Sequence, residues 1–163
     1  MSAQTDMIAK VKDYLMSLQD SICEALEKID GVASFSREVI TNDQKGFSRP
    51  RVIDDGQYIE RAAVLFSYSV GEALPKAASE RNPKLAGMGF EAVSISMISH
   101  PRNPYAPTFH ANLRFFQVNQ DHWYFGGGFH LKTYCLLYTS DAADEGLLVD
   151  LGVRRIIKKK IGG

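Results

Sequence analysis

Residues 90–116 read FEAVSISMISHPRNPYAPTFHANLRFF, and this stretch decides the fold. Apolar side chains alternate with others along Ala92–Ser99, which predicts a strand with two distinct faces. The three prolines of residues 100–107 exclude helix and strand there, because proline removes a backbone donor and fixes φ. Thr108–Val118 predicts a second strand, so the stretch is two strands joined by an ordered proline loop.

The flanking regions extend this pair of strands into a sheet. Downstream, a short turn leads into a third strand, His122–Phe129, which ends in glycines. Upstream, the turn signal Asp55-Gly56 joins Arg51–Asp54 to Gln57–Tyr68 as a hairpin. Consecutive strands with short turns form antiparallel sheets.

The N-terminal segment predicts a helix. Apolar residues recur every three or four positions from Met7 to Ile29, and Gly31 is a natural end for such a helix. Cys23 lies within it and is expected to be a packed, unreactive thiol. The fold class predicted from these elements is α+β, an antiparallel sheet flanked by helices.

Composition narrows the class of protein. The 163 residues include 19 Lys and Arg and 19 Asp and Glu, for a net charge of zero, and 45% are hydrophobic. These values are typical of a globular domain and argue against a disordered chain or a protein that coats nucleic acid. No apolar run is long enough to cross a bilayer, no secretory signal is present, and two distant cysteines form no disulfide framework. We therefore predict a cytoplasmic protein.

Polar side chains gather on one face of the second predicted strand. Alternation places His110, Asn112 and Arg114 together, which suits a carboxylate ligand and proton transfer, although a solvated sheet face explains the same pattern. His100 and His110 flank the proline loop and offer two imidazoles to a metal ion, whereas a catalytic metal site needs three protein ligands. Structural hydrogen bonding is the alternative for both. The glycines of residues 126–128 permit either close approach of a ligand or a backbone bulge.

A longer pattern connects these features. It runs His-Pro-x-Asn-Pro-x-x-Pro-Thr-x-His-Ala-Asn-x-Arg from His100 to Arg114, and Trp123–Gly128 extends it. Together these residues resemble the oxygen-dependent coproporphyrinogen III oxidase family, and the resemblance covers Lys10–Tyr134.

The resemblance implies a reaction and a set of roles. Members oxidatively decarboxylate two propionates of coproporphyrinogen III to vinyl groups with molecular oxygen, giving protoporphyrinogen IX, and they act as homodimers. Metal use varies within the family, so a divalent metal is an implied cofactor of some members. By position, His110 corresponds to the proton donor and, with His100, to a metal ligand. The implied substrate-binding residues are Ser96, Asn112, Leu113 and Arg114.

The sequence departs from the family in two places. His130 stands where the family has an aspartate, so a base replaces an acid. Residues 135–163 resemble the translation of a sequencing adapter and primer, with a basic tail as the alternative. We therefore predict that 1–134 is the N-terminal part of a coproporphyrinogen oxidase domain and 135–163 a non-native tail. The chain is then an incomplete portion of the fold, and we expect it to be poorly soluble and inactive.

Two other functions fit parts of the pattern. One is a cupin-like metal oxygenase that uses His100, His110 and His122, although no carboxylate stands at the usual spacing. The other is a porphyrin-binding module without catalysis.

Overall fold

One helix and a six-stranded antiparallel sheet form the structure, a computed structural model that describes residues 5–41, 46–74, 85–118 and 122–133. This architecture confirms the α+β prediction, with a single helix in the described ranges. The predicted boundary at residue 134 and the tail lie outside those ranges. The elements are α1 (Thr5–Asp30), β1 (Ile40–Thr41), β2 (Phe47–Asp54), β3 (Ile59–Gly71), β4 (Phe90–Pro101), β5 (Thr108–Val118) and β6 (His122–Lys132).

The sheet is a meander. Its spatial order follows the chain from β1 to β6, and every neighbouring pair is antiparallel. The predicted hairpin is confirmed as β2 and β3, where Asp55 adopts a φ of 61° and its N–H donates to the carbonyl oxygen of Glu60 at 2.8 Å. Asp is among the few residues that tolerate the left-handed region, which explains its place in this turn.

Two predicted boundaries were wrong. β4 continues through His100 and Pro101, because a proline is tolerated at a strand end, and Pro101 lies opposite Ile59 at a register shift. β6 does not end at its glycines but runs on to Lys132, since residues 126–128 pair with β5 in an unbroken ladder.

The predicted N-terminal helix is confirmed as α1. It ends where Gly31 adopts a φ of 77°, and the Gly31 N–H donates to the Glu27 carbonyl oxygen at 2.8 Å. The apolar stripe of α1 packs across β3 and β4. Fully buried members of this core, each with a relative exposure of 1% or less, are Leu15, Cys23, Ile53, Ala62, Val64, Phe66, Val93 and Phe115.

Buried polar groups fix α1 over β2 and β3. The Gln19 Nε2 donates to the Val64 carbonyl oxygen at 2.9 Å and also to that of Arg49. The Arg49 Nη2 donates to both carboxylate oxygens of Asp20, at 2.7 and 3.0 Å, which forms an ion pair. Backbone acceptors are fixed in the sheet, so the hydrogen bonds of Gln19, together with the Arg49–Asp20 ion pair, specify the register of the helix on the sheet.

Asp30 ties the end of α1 to the β2–β3 turn. Its fully buried carboxylate accepts hydrogen bonds from the backbone N–H groups of Ile59, Ala33, Gln57 and Tyr58, at 2.9 to 3.0 Å. These donors, that of Ile59 foremost, stabilise the anion and outweigh its burial. They therefore hold the pKa of Asp30 well below its usual range.

Two further groups on the helix side have displaced pKa values. Burial raises the pKa of the Cys23 thiol to about 11, although Arg51 nearby acts in the opposite direction. Burial, followed by the hydrogen bond that its hydroxyl donates to Glu91, raises the pKa of Tyr68 to about 12. Cys23 is therefore the packed, unreactive thiol expected from the sequence. In the described residues no helix is both long and apolar enough to span a membrane.

Candidate functional site

The face of the sheet away from α1, called here the open face, carries most of the candidate residues. Alternation along β4 and β5 sends Val93, Ile95 and Phe115 toward the helix and the intervening residues to the other side. The open face is formed by Ser94, Ser96 and Ile98 of β4, His110, Asn112 and Arg114 of β5, and Gly126, Gly128 and His130 of β6.

Cross-strand register arranges these residues in three rows. His110, Asn112 and Arg114 do share one face, as their spacing predicts, and each occupies the middle of a row. Successive rows are about 6.6–6.8 Å apart along a strand, and neighbouring strands about 4.8 Å apart. The rows are Ser94–Arg114–Gly126, Ser96–Asn112–Gly128 and Ile98–His110–His130.

The glycines leave space beside the two polar side chains of β5. A Cβ placed on Gly128 would meet no atom within 4 Å, and one on Gly126 would reach only the Tyr124 ring, at 4.0 Å. Asn112 and Arg114 themselves are exposed. The β6 side of these rows is therefore bare backbone, on which a ligand can lie close to the sheet.

Arg114 has no ion pair or hydrogen bond to another residue in the part of the chain that the structure describes. The other arginines near the sheet surface differ: Arg61 pairs with Asp54 at 3.0 Å, and Arg102 pairs with Asp55 at 2.5 Å. A guanidinium without a carboxylate partner is available to bind an anionic ligand in a bidentate manner.

His110 has a second imidazole beside it. The rings of His110 and His130 lie with centroids 5.1 Å apart and planes inclined by 51°. The sequence did not predict this pairing, because three consecutive glycines indicate a strand that ends before residue 130. The signal available was the alternation itself: continued past Gly128, it sends His130 to the same face.

His100 lies on the same face, at the end of the sheet. It is opposite Arg61 of β3, and its Nδ1 is 3.4 Å from the Thr108 Oγ1 of β5. His110 is its diagonal neighbour across the strands, a relation that puts residues about 7–8 Å apart. In the described ranges no group of three or more His, Cys, Asp and Glu side chains lies close enough to hold a metal ion. Two imidazoles are fewer than the three protein ligands of a catalytic metal centre, and the metal role of His100 and His110 stays a prediction.

Two predicted participants lie elsewhere. The Leu113 side chain points to the helix side and packs against the core, so only its backbone borders the open face. His122 begins β6 opposite Val118, eight residues along the strand from His130, which corresponds to about 26 Å. The structure thus separates His122 from His100 and His110, and the three histidines of the cupin-like alternative do not converge.

A hollow lies on the helix side, beyond the reach of α1. It has a volume of about 680 Å³ and is mainly apolar, and Phe125 and Phe129 in its wall are 45% and 60% exposed. The side chains around it come from β5 and β6: Phe109, Ala111, Leu113, Phe125 and Phe129. It holds no charged group and therefore offers no chemistry of its own.

Comparison with protein families adds an independent observation to this geometry. A family model described as coproporphyrinogen III oxidase matches residues 10–144 of the 163. The matched stretch contains α1, apart from its first residues, together with all six strands and every residue of the open face.

Proposed function

Because the chain belongs to the coproporphyrinogen III oxidase family, we propose that its open face binds coproporphyrinogen III for oxygen-dependent decarboxylation. Members of this family are oxidoreductases of porphyrin biosynthesis. The proposed reaction converts two propionates to vinyl groups and yields protoporphyrinogen IX. The homodimer and the cytoplasmic location predicted from the sequence belong to the same proposal.

The reaction defines what the site must do. Each propionate loses CO2 and one hydrogen of its side chain, and the two electrons pass to molecular oxygen as the co-substrate. The protein must bind the carboxylate of the propionate, orient the rest of that substituent and donate or accept a proton. A carboxylate that leaves water needs a compensating partner in the site.

Arg114 supplies that partner. Its guanidinium is exposed and has no carboxylate partner among the described residues, so binding a propionate breaks no existing ion pair. Two parallel N–H···O hydrogen bonds would fix both the position and the plane of the carboxylate. This unpaired guanidinium on the open face is the observation that carries the proposal.

The neighbouring row orients the substrate. Asn112 lies directly between Ser96 and Gly128, so a hydroxyl and an amide stand side by side and bare backbone follows on the β6 side. His110 and Arg114, with Asn112 midway, are four residue steps apart on β5, or about 13 Å. A ligand that reaches from the imidazole to the guanidinium must therefore be extended, and a macrocycle with carboxylates on its rim meets that requirement.

His110 is the proposed proton donor. Its ring stands one row from Asn112 and two rows from Arg114, on the same face as both. An imidazole nitrogen can donate a proton as a general acid, so His110 can deliver the proton that the reduction of oxygen requires. Leu113, which the resemblance also implies, can contribute only its backbone to this site.

The 163-residue chain should bind the macrocycle more readily than it converts it. Arg114 and Asn112 are exposed to solvent, and decarboxylation of a charged propionate is favoured where water is excluded. We therefore propose that this chain alone retains binding and lacks turnover.

Titration of coproporphyrin III, the stable oxidised form of the substrate, tests the site by fluorescence. Arg114→Ala should raise Kd about 10-fold or more, because a charged hydrogen-bonded pair contributes about 1.5–3 kcal/mol. Arg114→Lys should lose less, since it keeps the charge without the bidentate geometry. Arg37→Ala, at an exposed arginine away from the sheet face, is the matched control. Equal Kd values for Arg114→Ala and Arg37→Ala would contradict the proposal.

Oxygen uptake separates an enzyme from a binding module. We propose that this chain is a portion of a longer enzyme. With coproporphyrinogen III and that enzyme, His110→Ala should abolish uptake while changing Kd little. Equal loss of binding and uptake in that variant would favour the binding module.

A further inference from the structure

We propose that His110 and His130 together bind a divalent transition-metal ion, each through one ring nitrogen. This pair differs from the pair that the family resemblance implies, which is His110 with His100. The proposal rests on the geometry of the open face and does not depend on the porphyrin reaction.

The separation of the two rings suits a shared ion. Zinc bound at about 2.1 Å from one nitrogen of each imidazole, at a near-tetrahedral angle, places the ring centroids about 5 Å apart. The observed separation is 5.1 Å, with the planes inclined by 51° rather than stacked. Inclined rings can aim one nitrogen each at a common point in front of the sheet.

Both imidazoles are available to a metal. His130 is exposed and His110 half-buried, and in the described residues neither ring forms a hydrogen bond to another group. The third residue of their row is Ile98, which adds no charge. Lys132 is the nearest cation on the same face of β6, but its side chain is exposed and can extend into solvent.

His100 is less suited to the same task. It stands opposite Arg61 of β3, beyond the last residue pair of the β4–β5 ladder, and its Nδ1 lies 3.4 Å from the Thr108 hydroxyl oxygen. The backbone ladder holds His110 and His130 directly opposite each other on hydrogen-bonded strands, so the pair is already organised for a common ligand. Solvent molecules would complete the coordination, and the expected order of affinity is Cu²⁺ above Ni²⁺.

The test is a titration of the metal alone into the 163-residue chain, by calorimetry with ZnCl2, NiCl2 and CuCl2 in a non-coordinating buffer. The variants are His130→Asn and His110→Asn, with His100→Asn and His122→Asn as matched controls on the same sheet. Circular dichroism verifies that each variant keeps its secondary structure. Electron paramagnetic resonance of the Cu²⁺ complex of the unmodified chain counts the nitrogen ligands without any substitution.

One equivalent of metal should bind to the unmodified chain. His130→Asn and His110→Asn should each weaken it by roughly 10-fold or more, since even an outer partner of a metal ligand is worth 10–100-fold. The double variant should lose little beyond either single one, and the Cu²⁺ spectrum should show two nitrogens. Metal binding unchanged in His130→Asn, a loss in His100→Asn as large as in His130→Asn, or a spectrum with one nitrogen would each overturn the proposal.

Discussion

The side of the sheet on which α1 packs is called here the covered face. Residues of the covered face and of the open face alternate one by one along the same strands. On β3, Phe66 is fully buried under α1, whereas the adjacent Leu65 points to the open face and is 40% exposed. On β5, Phe115 is fully buried and the adjacent Arg114 is exposed. The residues that stabilise the fold and those proposed to bind the ligand therefore lie on opposite sides of one backbone, and a shift of one residue in register would exchange them.

The covered face is itself divided. α1 packs on β3 and β4, so Val64 and Val93 have no exposed surface. Phe125 and Phe129 of β6 point to the same side but are 45% and 60% exposed, because the helix does not reach them. Alternation thus determines which side a residue faces, while the position of the helix determines whether that side is buried.

Substitution of neighbouring residues on β3 gives the largest expected contrast between the faces. Phe66→Ala removes a fully buried ring and should lower the free energy of unfolding by about 3–5 kcal/mol. Leu65→Ala, one position away, should cost about 1 kcal/mol, since its side chain is already partly in water. Urea denaturation followed by circular dichroism measures both. Similar losses in the two variants would mean that the open face is packed as tightly as the other.

Asp30 makes the covered face sensitive to acid. Its pKa is lowered in the folded state, so the stability it contributes is complete above its unfolded pKa of about 4 and is lost as the pH falls toward the lower folded value. Asp30→Asn should reduce stability at pH 7, by less than Phe66→Ala does, and should flatten the dependence of the melting temperature on pH below about 4.

The control for this prediction is Asp54→Asn. The Asp54 side chain is 64% exposed in its ion pair with Arg61, so its replacement should change stability by about 0.5 kcal/mol or less. A pH profile that stays unchanged in Asp30→Asn would show that the four backbone hydrogen bonds do not depend on the charge.

The sequence predicted which side of the sheet a residue occupies better than it predicted which residue lies opposite on the next strand. Alternation alone placed His110, Asn112 and Arg114 together, because the period of a strand is a local property. That Ser96 lies opposite Asn112 depends on how the chain closes through residues 102–107, and no periodicity specifies that register. Ser96 was a candidate only through the family resemblance.

The position of His130 is a second feature that the local sequence does not predict. Three consecutive glycines have a low intrinsic preference for strands, so they predicted an end to β6. The ladder with β5 overrides that preference, and its continuation brings His130 beside His110. The roles proposed for the open-face residues remain predictions, since a register gives positions and not chemistry.

Adjacent glycines of β6 provide the finest contrast between the faces. A Cβ on Gly127 would lie 2.6 Å from the Asn112 carbonyl oxygen, whereas one on Gly128 would meet nothing within 4 Å. Gly127→Ala should therefore force a shift of backbone and cost about 1–3 kcal/mol. Gly128→Ala should instead gain about 0.4–1 kcal/mol by restricting the unfolded chain.

Urea titrations of the two alanine variants, run in parallel, measure this difference without any ligand. The substitution is chemically identical at both positions, so intrinsic strand preference cancels and only the space on each side of β6 remains. Equal stabilities would mean that β5 and β6 are not held at the separation described. The bare strip beside Asn112 would then lose its structural basis, and with it the reason to expect a macrocycle to lie against that part of the open face.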